Sequence, residues 1–408
     1  MVFKMGPAFN RMWSASLISN LADGVLFAAV PILAISLTDN TVLISAIGAM
    51  VMVPWLLFAI PIGAMVDRLD RRYILASANA LRGLIVGVLA FMIAADLVTI
   101  YLLIAVAFII GVCEVAADTT SQSLIPQILD EESYEKGNSR LQMSETVVQG
   151  FIGAPLSGFL YAFAIYLPFF FNSVGFVFTA VLALSIPIKY LQDVRQEEAA
   201  ARNKKNFVSD IKFGINFLYN HQVLRRIVIT TSLIGVCYAI GTSTIVLFMI
   251  NELSLPKPLF GVVLTIEGIG AILGALVAPR ASKRFGRSAT MTFGIFFSSL
   301  LLLLQGFSPN IYVFVALATL GSFTIAQWNI LIMATYQTII PNEIFGRVHG
   351  TRRTLVWGLM PIGSLLGGVL AHFGLRIPLY VGGSIATVIA FFSINFLRQI
   401  GANQETAK

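Results

Sequence analysis

Asp23, Arg82, Glu114, Asp118, Glu145 and Glu267 are ionisable side chains set in stretches that are otherwise apolar. The chemistry open to them is the movement of charge. A charge at the centre of a membrane helix costs about 2.5 to 3.5 kcal/mol on insertion scales, so such groups face a bundle interior or a water-filled cavity and mark an ion or substrate path. Glu114 and Asp118 lie four apart and share a helical face; Asn79 and Arg82 lie three apart and share another. An arginine buried alone is costly, and a carboxylate is its natural partner. Desolvation favours the neutral form of a carboxylate and a neighbouring guanidinium favours the charged form, so a group held between the two can take a proton in one state and release it in another. Asp23 and Glu114 are the first candidates, Asp118 the next, and Arg82 the counter-ion that pairs with them in turn. A static ion-pair cluster that only fixes helix packing is the alternative.

Glu145 stands barely one turn from its helix boundary, where a structural contact with Arg140 or with lipid headgroups is expected. Glu267, within Leu264-Thr-Ile-Glu267-Gly268-Ile-Gly270, is the only acidic residue deep in the second half of the chain. No basic residue accompanies it in nearby helices, so it is either protonated at rest or paired with substrate, and a cationic, lipophilic substrate suits it. Asn79, Trp55, Trp328 and Trp357, with Gln327 and Asn329 beside Trp328, supply the remaining pocket candidates, although core packing is the simpler reading for any one tryptophan. Trp13 is expected at a membrane interface. Cys113 and Cys237 fall in different membrane helices and are expected as free thiols.

The elements that must carry these residues follow from composition. Hydrophobic residues make up 57% of 408 and charged residues 12%, with a mean hydropathy of +0.85, against roughly 25% charged in soluble domains. Apolar stretches of about 20 residues cross ~30 Å of hydrocarbon at 1.5 Å per residue. Twelve such stretches are expected, at 13–38, 43–66, 73–95, 99–124, 141–165, 167–188, 226–250, 259–280, 288–307, 311–338, 352–373 and 377–397. The first follows Lys4 and Arg11 and outruns a signal-peptide core, so it is expected to be retained. With both termini cytoplasmic, every Lys and Arg lies on the inner side except Arg82, within a helix, and Lys257 and Arg376, outside. That asymmetry accounts for the net charge of +7 through anionic lipid and without nucleic acid.

Residues 189–226 form one long polar break, within which Phe207, Val208, Ile211, Ile215 and Leu218 recur at helical spacing opposite Asp210, Lys212 and Asn216. An amphipathic helix on the cytoplasmic surface is expected there. The break separates halves that echo each other. Gly63-Ala-Met-Val-Asp67-Arg68-Leu-Asp70-Arg71-Arg72 has a counterpart running from Gly274 through Arg280, Lys283, Arg284 and Gly286 to Arg287; Pro126 answers to Pro341, and Pro155 to Pro361. Two parallel repeats of this kind are a secondary-transporter architecture, with sites near the midplane at the repeat interface.

The stretch Gly63–Arg72 resembles the loop signature of the major facilitator superfamily, G-x-x-x-D-R-x-G-R-R/K, with Asp70 where the family usually has Gly. The resemblance implies a conformational latch at Gly63, Asp67, Arg68, Arg71 and Arg72, in which Asp67 docks at a helix N-terminus. The second copy, with Arg280 in place of Asp, resembles the family's weaker repeat. Leu21-Ala-Asp23-Gly24, Ile125-Pro-Gln127, Gly137-Asn-Ser139, Pro341-Asn-Glu343 and Gly346-Arg-Val348 resemble the drug-efflux branch that includes macrolide, tetracycline and aminoglycoside pumps and the enterobactin exporter. Gly150-Phe-Ile-Gly153-Ala-Pro155-Leu-Ser-Gly158-Phe159 is similar to the antiporter signature at Gly150, Pro155 and Gly158, with Ala154 and Phe159 replacing two glycines. Generic helix packing by small residues is the alternative there.

Catalysis finds little support. There is no phosphate-binding loop, and His221, His349 and His372 are isolated near predicted loops. The expectation is therefore an all-α membrane protein of twelve transmembrane helices in two pseudo-symmetric six-helix bundles, 1–190 and 226–408, joined by a linker at 191–225. By resemblance it is a proton-coupled exporter of small amphipathic compounds, monomeric, in the lipid bilayer, needing no cofactor, metal or nucleic acid. A lipid or siderophore exporter on the same fold, and a transporter-like receptor or sensor, are the alternatives.

Overall fold

The computed structural model describes residues 6–129, 137, 140–141, 144–187, 207–340 and 342–405, and helices are the only regular elements among them. In chain order these are α1 (Gly6–Leu37), α2 (Thr41–Arg68), α3 (Arg71–Ala94), α4 (Ile100–Ile128), a π-helical segment (Ser144–Gly153) leading into α5 (Ala154–Phe163), and α6 (Leu167–Leu184). After the linker come α7 (Phe207–Asn220), α8 (Gln222–Thr242), a π turn (Phe248–Glu252), α9 (Phe260–Phe285), α10 (Arg287–Gln305), α11 (Ile311–Ile339), α12 (Asn342–Gly358), α13 (Met360–Ala371) and α14 (Ile377–Glu405). Among the described residues eleven helices are long and apolar enough to cross a membrane, and a twelfth segment, Val147–Phe163, is apolar but shorter. Large apolar side chains such as Phe91, Phe163, Phe178 and Phe392 stand exposed along them, as helices facing hydrocarbon require.

Helix ends follow local chemistry. Thr99 and Asn310 accept the backbone N–H groups of Leu102 and Val313, capping α4 and α11. Pro155 sits in the first turn of α5, where its missing N–H costs nothing. The stretch expected as one helix over 141–165 is therefore a π segment followed by an α-helix. The stretch at 352–373 begins ten residues early and breaks between Gly358 and Met360, ahead of Pro361. In α7 the buried residues are Gly214 and Leu218, with Phe217 half-buried, whereas Ile215 is exposed. Phe207, Val208, Asp210, Ile211 and Lys212 have side chains outside the described residues.

The chain divides into two compact units. Unit 1 holds Met1–Leu37, Val53–Phe207 and Lys257–Val262; unit 2 holds Thr38–Met52, Val208–Pro256 and Val263–Lys408. Helix α2 thus belongs to both, changing allegiance beside Pro54. The core of unit 1 gathers Phe9, Met12, Ile74, Leu75, Leu124 and Ile128. Unit 2 packs around Trp328, Tyr336, Ile227, Ile295 and Leu331. Within unit 2 the first turns of α2 are held by polar contacts: Thr41 donates to the Gly368 carbonyl at 2.7 Å, and Ser364 to that of Ser45 at 2.9 Å.

One side chain ties the loops of unit 2 together. Arg376 bonds the Glu252 carboxylate at 2.6 Å, donates to the carbonyls of Gly306 and Ser308 at 2.9 and 3.1 Å, and lies 5.1 Å over the Phe248 ring. Its hydrogen bond to Glu252 raises the guanidinium further above its ordinary range, so the cation persists at any working pH. Arg376→Ala should destabilise the detergent-purified protein by about 1 to 3 kcal/mol, and Arg376→Lys by less, because lysine keeps the charge and loses the fork. Thermal unfolding of the three proteins measures this; identical midpoints would show that the loops hold without the arginine.

Candidate functional site

Helix α1 enters unit 1 with Asp23 near its middle, and α3 brings Arg82 to the same level. Arg82 Nη2 lies 2.5 Å from Asp23 Oδ1, and Ser19 donates to the other carboxylate oxygen at 3.4 Å. The arginine side chain is 3% exposed and the aspartate 23%. The cation is sealed while the carboxylate keeps an open side, which is the asymmetry a proton-accepting group needs. Arg82 Nε finds no acceptor among the described residues.

The other first-half candidates divide around this pair. Asn79, one turn before Arg82, is buried; its amide N–H donates to the Leu75 carbonyl at 2.8 Å, while its Oδ1 meets no donor among the described residues. Glu114 and Asp118 are half-buried on α4, and Asp118 accepts from Gln122 at 2.9 Å. Cys113, beside Glu114, lies within electrostatic reach of Arg82. Glu145 is exposed, and Arg140 stacks over Trp13, whose indole N–H donates to Ser144 at 2.9 Å. Trp55 packs half-buried against the core of unit 1.

The π segment sets the depth of Asp23. A side chain at Gly24 would overlap the backbone of Gln149, and one at Gly153 would overlap the backbone of Gly24. Gly158 makes a similarly close approach to Pro258, whereas Gly150 faces open space. Of the glycines in the antiporter-like pattern, Gly153 and Gly158 are the ones that backbone proximity requires.

Helix α6, expected over 167–188, has no charged residue, and none of its side chains stood out in the sequence as a site candidate. Asn172 donates to the carbonyl of Ala22, next to Asp23, and Ser173 to that of Gly83, next to Arg82, each at 2.6 Å. One turn beyond Asn172, the Phe176 ring centroid lies 4.0 Å from Arg82 Cζ, and Phe176 is fully buried. A groove of about 1130 Å³ between α3 and α6 has neither Asp23 nor Arg82 in its lining. Its walls include Leu84, Phe91 and Val181, exposed apolar residues that mark a lipid-facing surface.

The loop signature is partly explained by capping. Asp70, where the family pattern has Gly, caps α3: its carboxylate accepts from the Arg72 backbone N–H and pairs with the Arg72 side chain at 2.9 Å. Arg72 also donates to the Ile186 carbonyl, and Arg71 is buried beside it. In the second copy Gly286 takes the cap position before α10 with φ +85, a conformation that favours glycine. Gly63 is half-buried; the side chains of Asp67 and Arg68 lie outside the described residues, as do Asn138, Ser139 and Pro341.

Unit 2 presents a different chemistry. Glu267 is half-buried on α9, with no bonded partner among the described residues. Trp328 and Gln327 are 2% exposed, and Trp328 is part of the core, while Asn329 points outward. Trp357 is partly exposed beneath Arg353, at 4.9 Å. Arg352 stands 4.5 Å over the buried ring of Tyr336. Cys113 and Cys237 are buried free thiols.

A family model described as transmembrane secretion effector matches residues 5–407. The chain belongs to that family, within the major facilitator superfamily. The transporter is 22% identical over 396 residues to the multidrug efflux pump Tap of Mycobacterium tuberculosis, covering 93% of each chain. It is 23% identical to the staphyloferrin A transporter of Staphylococcus aureus, covering 87% and 88%, and 21% identical to macrolide efflux protein A of Streptococcus pyogenes, covering 96% and 97%. Its fold is similar to that of a mutant nucleoside transporter NupG, with a TM-score of 0.75 at 14% identity over 96% of this chain and 99% of that one. A bacterial homologue of the iron transporter ferroportin gives 0.74 at 14% identity, covering 96% and 98%. The transporter is a multi-pass membrane protein and not an enzyme.

The packing around Asp23 makes a ranked prediction. Gly24→Ala and Gly153→Ala should each cost about 1 to 3 kcal/mol through backbone overlap, whereas Gly150→Ala should be neutral or slightly stabilising. Thermal unfolding in detergent ranks them, and an equal loss at Gly150 would show that the π segment packs in another register.

Proposed function

We propose that this transporter is a proton-coupled exporter of small amphipathic compounds, lipophilic or cationic, working by alternating access. The observation that carries the reading is the Asp23–Arg82 pair, a sealed arginine bonded to a carboxylate that retains an open side. Protonation of Asp23 breaks the ion pair and deprotonation restores it, so proton binding exchanges two arrangements of charge within one unit. Glu114 and Asp118 on α4 are the accompanying carboxylates. Efflux-pump relatives support the direction of transport and the substrate class. The distribution of Lys and Arg supports cytoplasmic termini, and a monomer is the expected assembly.

In proteoliposomes, an imposed pH gradient should drive accumulation of a lipophilic cationic dye. Asp23→Asn or Glu114→Gln should abolish accumulation while leaving downhill flux, since neither neutral variant can carry the proton. Full coupled transport in both variants would overturn the assignment.

Glu267 assigns the preference for cations. A charge-assisted contact contributes roughly 1.5 to 3 kcal/mol, so Glu267→Gln should weaken a cationic ligand by about ten- to a hundredfold and spare a neutral analogue. Binding to the protein in nanodiscs measures both. Equal losses would mean a packing defect, and no loss for either would move the substrate away from Glu267.

A further inference from the structure

We propose that Phe176 is a positioning residue for proton coupling: its ring face is the second seat of the Arg82 guanidinium, holding that charge in place while Asp23 is neutral. This rests on the proton-coupling reading of the Asp23–Arg82 pair.

Arginine keeps its proton under any condition a protein meets, so its charge must be compensated in every state of the site. With Asp23 ionised, the carboxylate does this directly at 2.5 Å. Once Asp23 takes a proton, that compensation is lost, and Nε has no acceptor among the described residues to replace it. A buried contact that does not depend on the charge of Asp23 is the Phe176 ring, 4.0 Å from Arg82 Cζ and fully buried. The negative face of an aromatic ring attracts a cation most strongly when both are shielded from water.

The geometry is held from both sides. Asn172 lies one turn before Phe176 on the same face of α6 and is bonded to the backbone beside Asp23. Ser173 is bonded to the backbone beside Arg82. The helix that carries the ring is therefore tied at 2.6 Å to each of the helices that carry the pair. The titratable groups on the remaining wall are Cys113, Glu114 and Asp118 of α4. Helix α6 contributes none, and the π segment contributes only Glu145, at its exposed end. The ring can thus interact with Arg82 without itself titrating.

The sign of the effect follows. Weakening the ring face costs both states, and costs the state with neutral Asp23 more, because there the guanidinium is not neutralised by the carboxylate. Asp23 then gives up its proton more readily, and the pH profile of coupled transport moves toward acid.

The test uses the full chain in proteoliposomes, with the lipophilic cationic dye as probe. Phenylalanines carrying one, two or three ring fluorines are placed at 176, which drains the ring face with little change in size, alongside Phe176→Leu and Phe176→Tyr. Phe169→Leu, at another fully buried α6 ring, reports the effect of packing loss alone. The expected result is a stepwise acid shift with fluorination, reaching about 0.5 to 1.5 pH units for the trifluoro ring and Phe176→Leu. Phe176→Tyr and Phe169→Leu should keep the wild-type midpoint, and dye affinity at a fixed protonation state should be unchanged. An unmoved midpoint across the fluorinated series overturns the proposal, as does a shift in Phe176→Leu that the series does not reproduce. Retained coupling in Asp23→Asn would instead remove the proton-coupling reading of the Asp23–Arg82 pair. Loss of coupling there with no fluorine effect would remove only the role of Phe176.

Discussion

A guanidinium charge held inside hydrocarbon is the constraint around which unit 1 is organised. Neither an ionised Asp23 nor Arg82 is readily tolerated there alone, and as charges they are accommodated together at close range with their helices fixed. The surrounding backbone supplies that fixity. Glycines let α1 lie against the π segment at the level of Asp23, and the hydroxyl and amide of α6 grip the carbonyls that flank each charged residue. Polar side chains that would be unremarkable in water act here as spacers, because their bonds to backbone carbonyls face no competition from solvent.

The two units handle charge differently. Unit 1 pairs an acid with a base at the centre of a bundle. Unit 2 keeps its arginines toward helix ends and loops, over the rings of Tyr336, Trp357 and Phe248, and leaves Glu267 without a bonded partner among the described residues. Stacking on aromatics recurs in both, at Phe176 in one and Tyr336 in the other. In a membrane protein rich in phenylalanine, ring faces are an abundant local source of negative potential.

Much of this was legible in the sequence because a charge in an apolar stretch is rare and therefore informative. Asp23 and Arg82 stood out for that reason, and the helix count followed from hydropathy. Phe176 could not stand out, being one of 31 phenylalanines on a helix with no charged residue. Which glycines of the antiporter-like stretch meet backbone was not legible, because a π-helix turns each successive side chain through a smaller angle than an α-helix. Asp70 read as a departure from a family pattern, whereas its carboxylate caps a helix and pairs with Arg72. Trp328, a pocket candidate for which core packing was the simpler reading, is two percent exposed and lies in the core. Depth and type of residue are visible in a chain, but the direction in which a side chain points depends on neighbours far away in sequence.

The separation of 59 residues between Asp23 and Arg82 bears on how the protein is made. At about 5 to 20 residues per second, α1 is synthesised roughly 3 to 12 s before its counter-charge. During that interval the aspartate has no cation to face, and the neutral acid is the form that hydrocarbon tolerates. Arg82 has no such option, since it cannot shed its proton. Membrane insertion therefore has a natural order: the residue that can be neutralised goes in first and waits, and the one that cannot arrives on a later helix with its partner already in the bilayer.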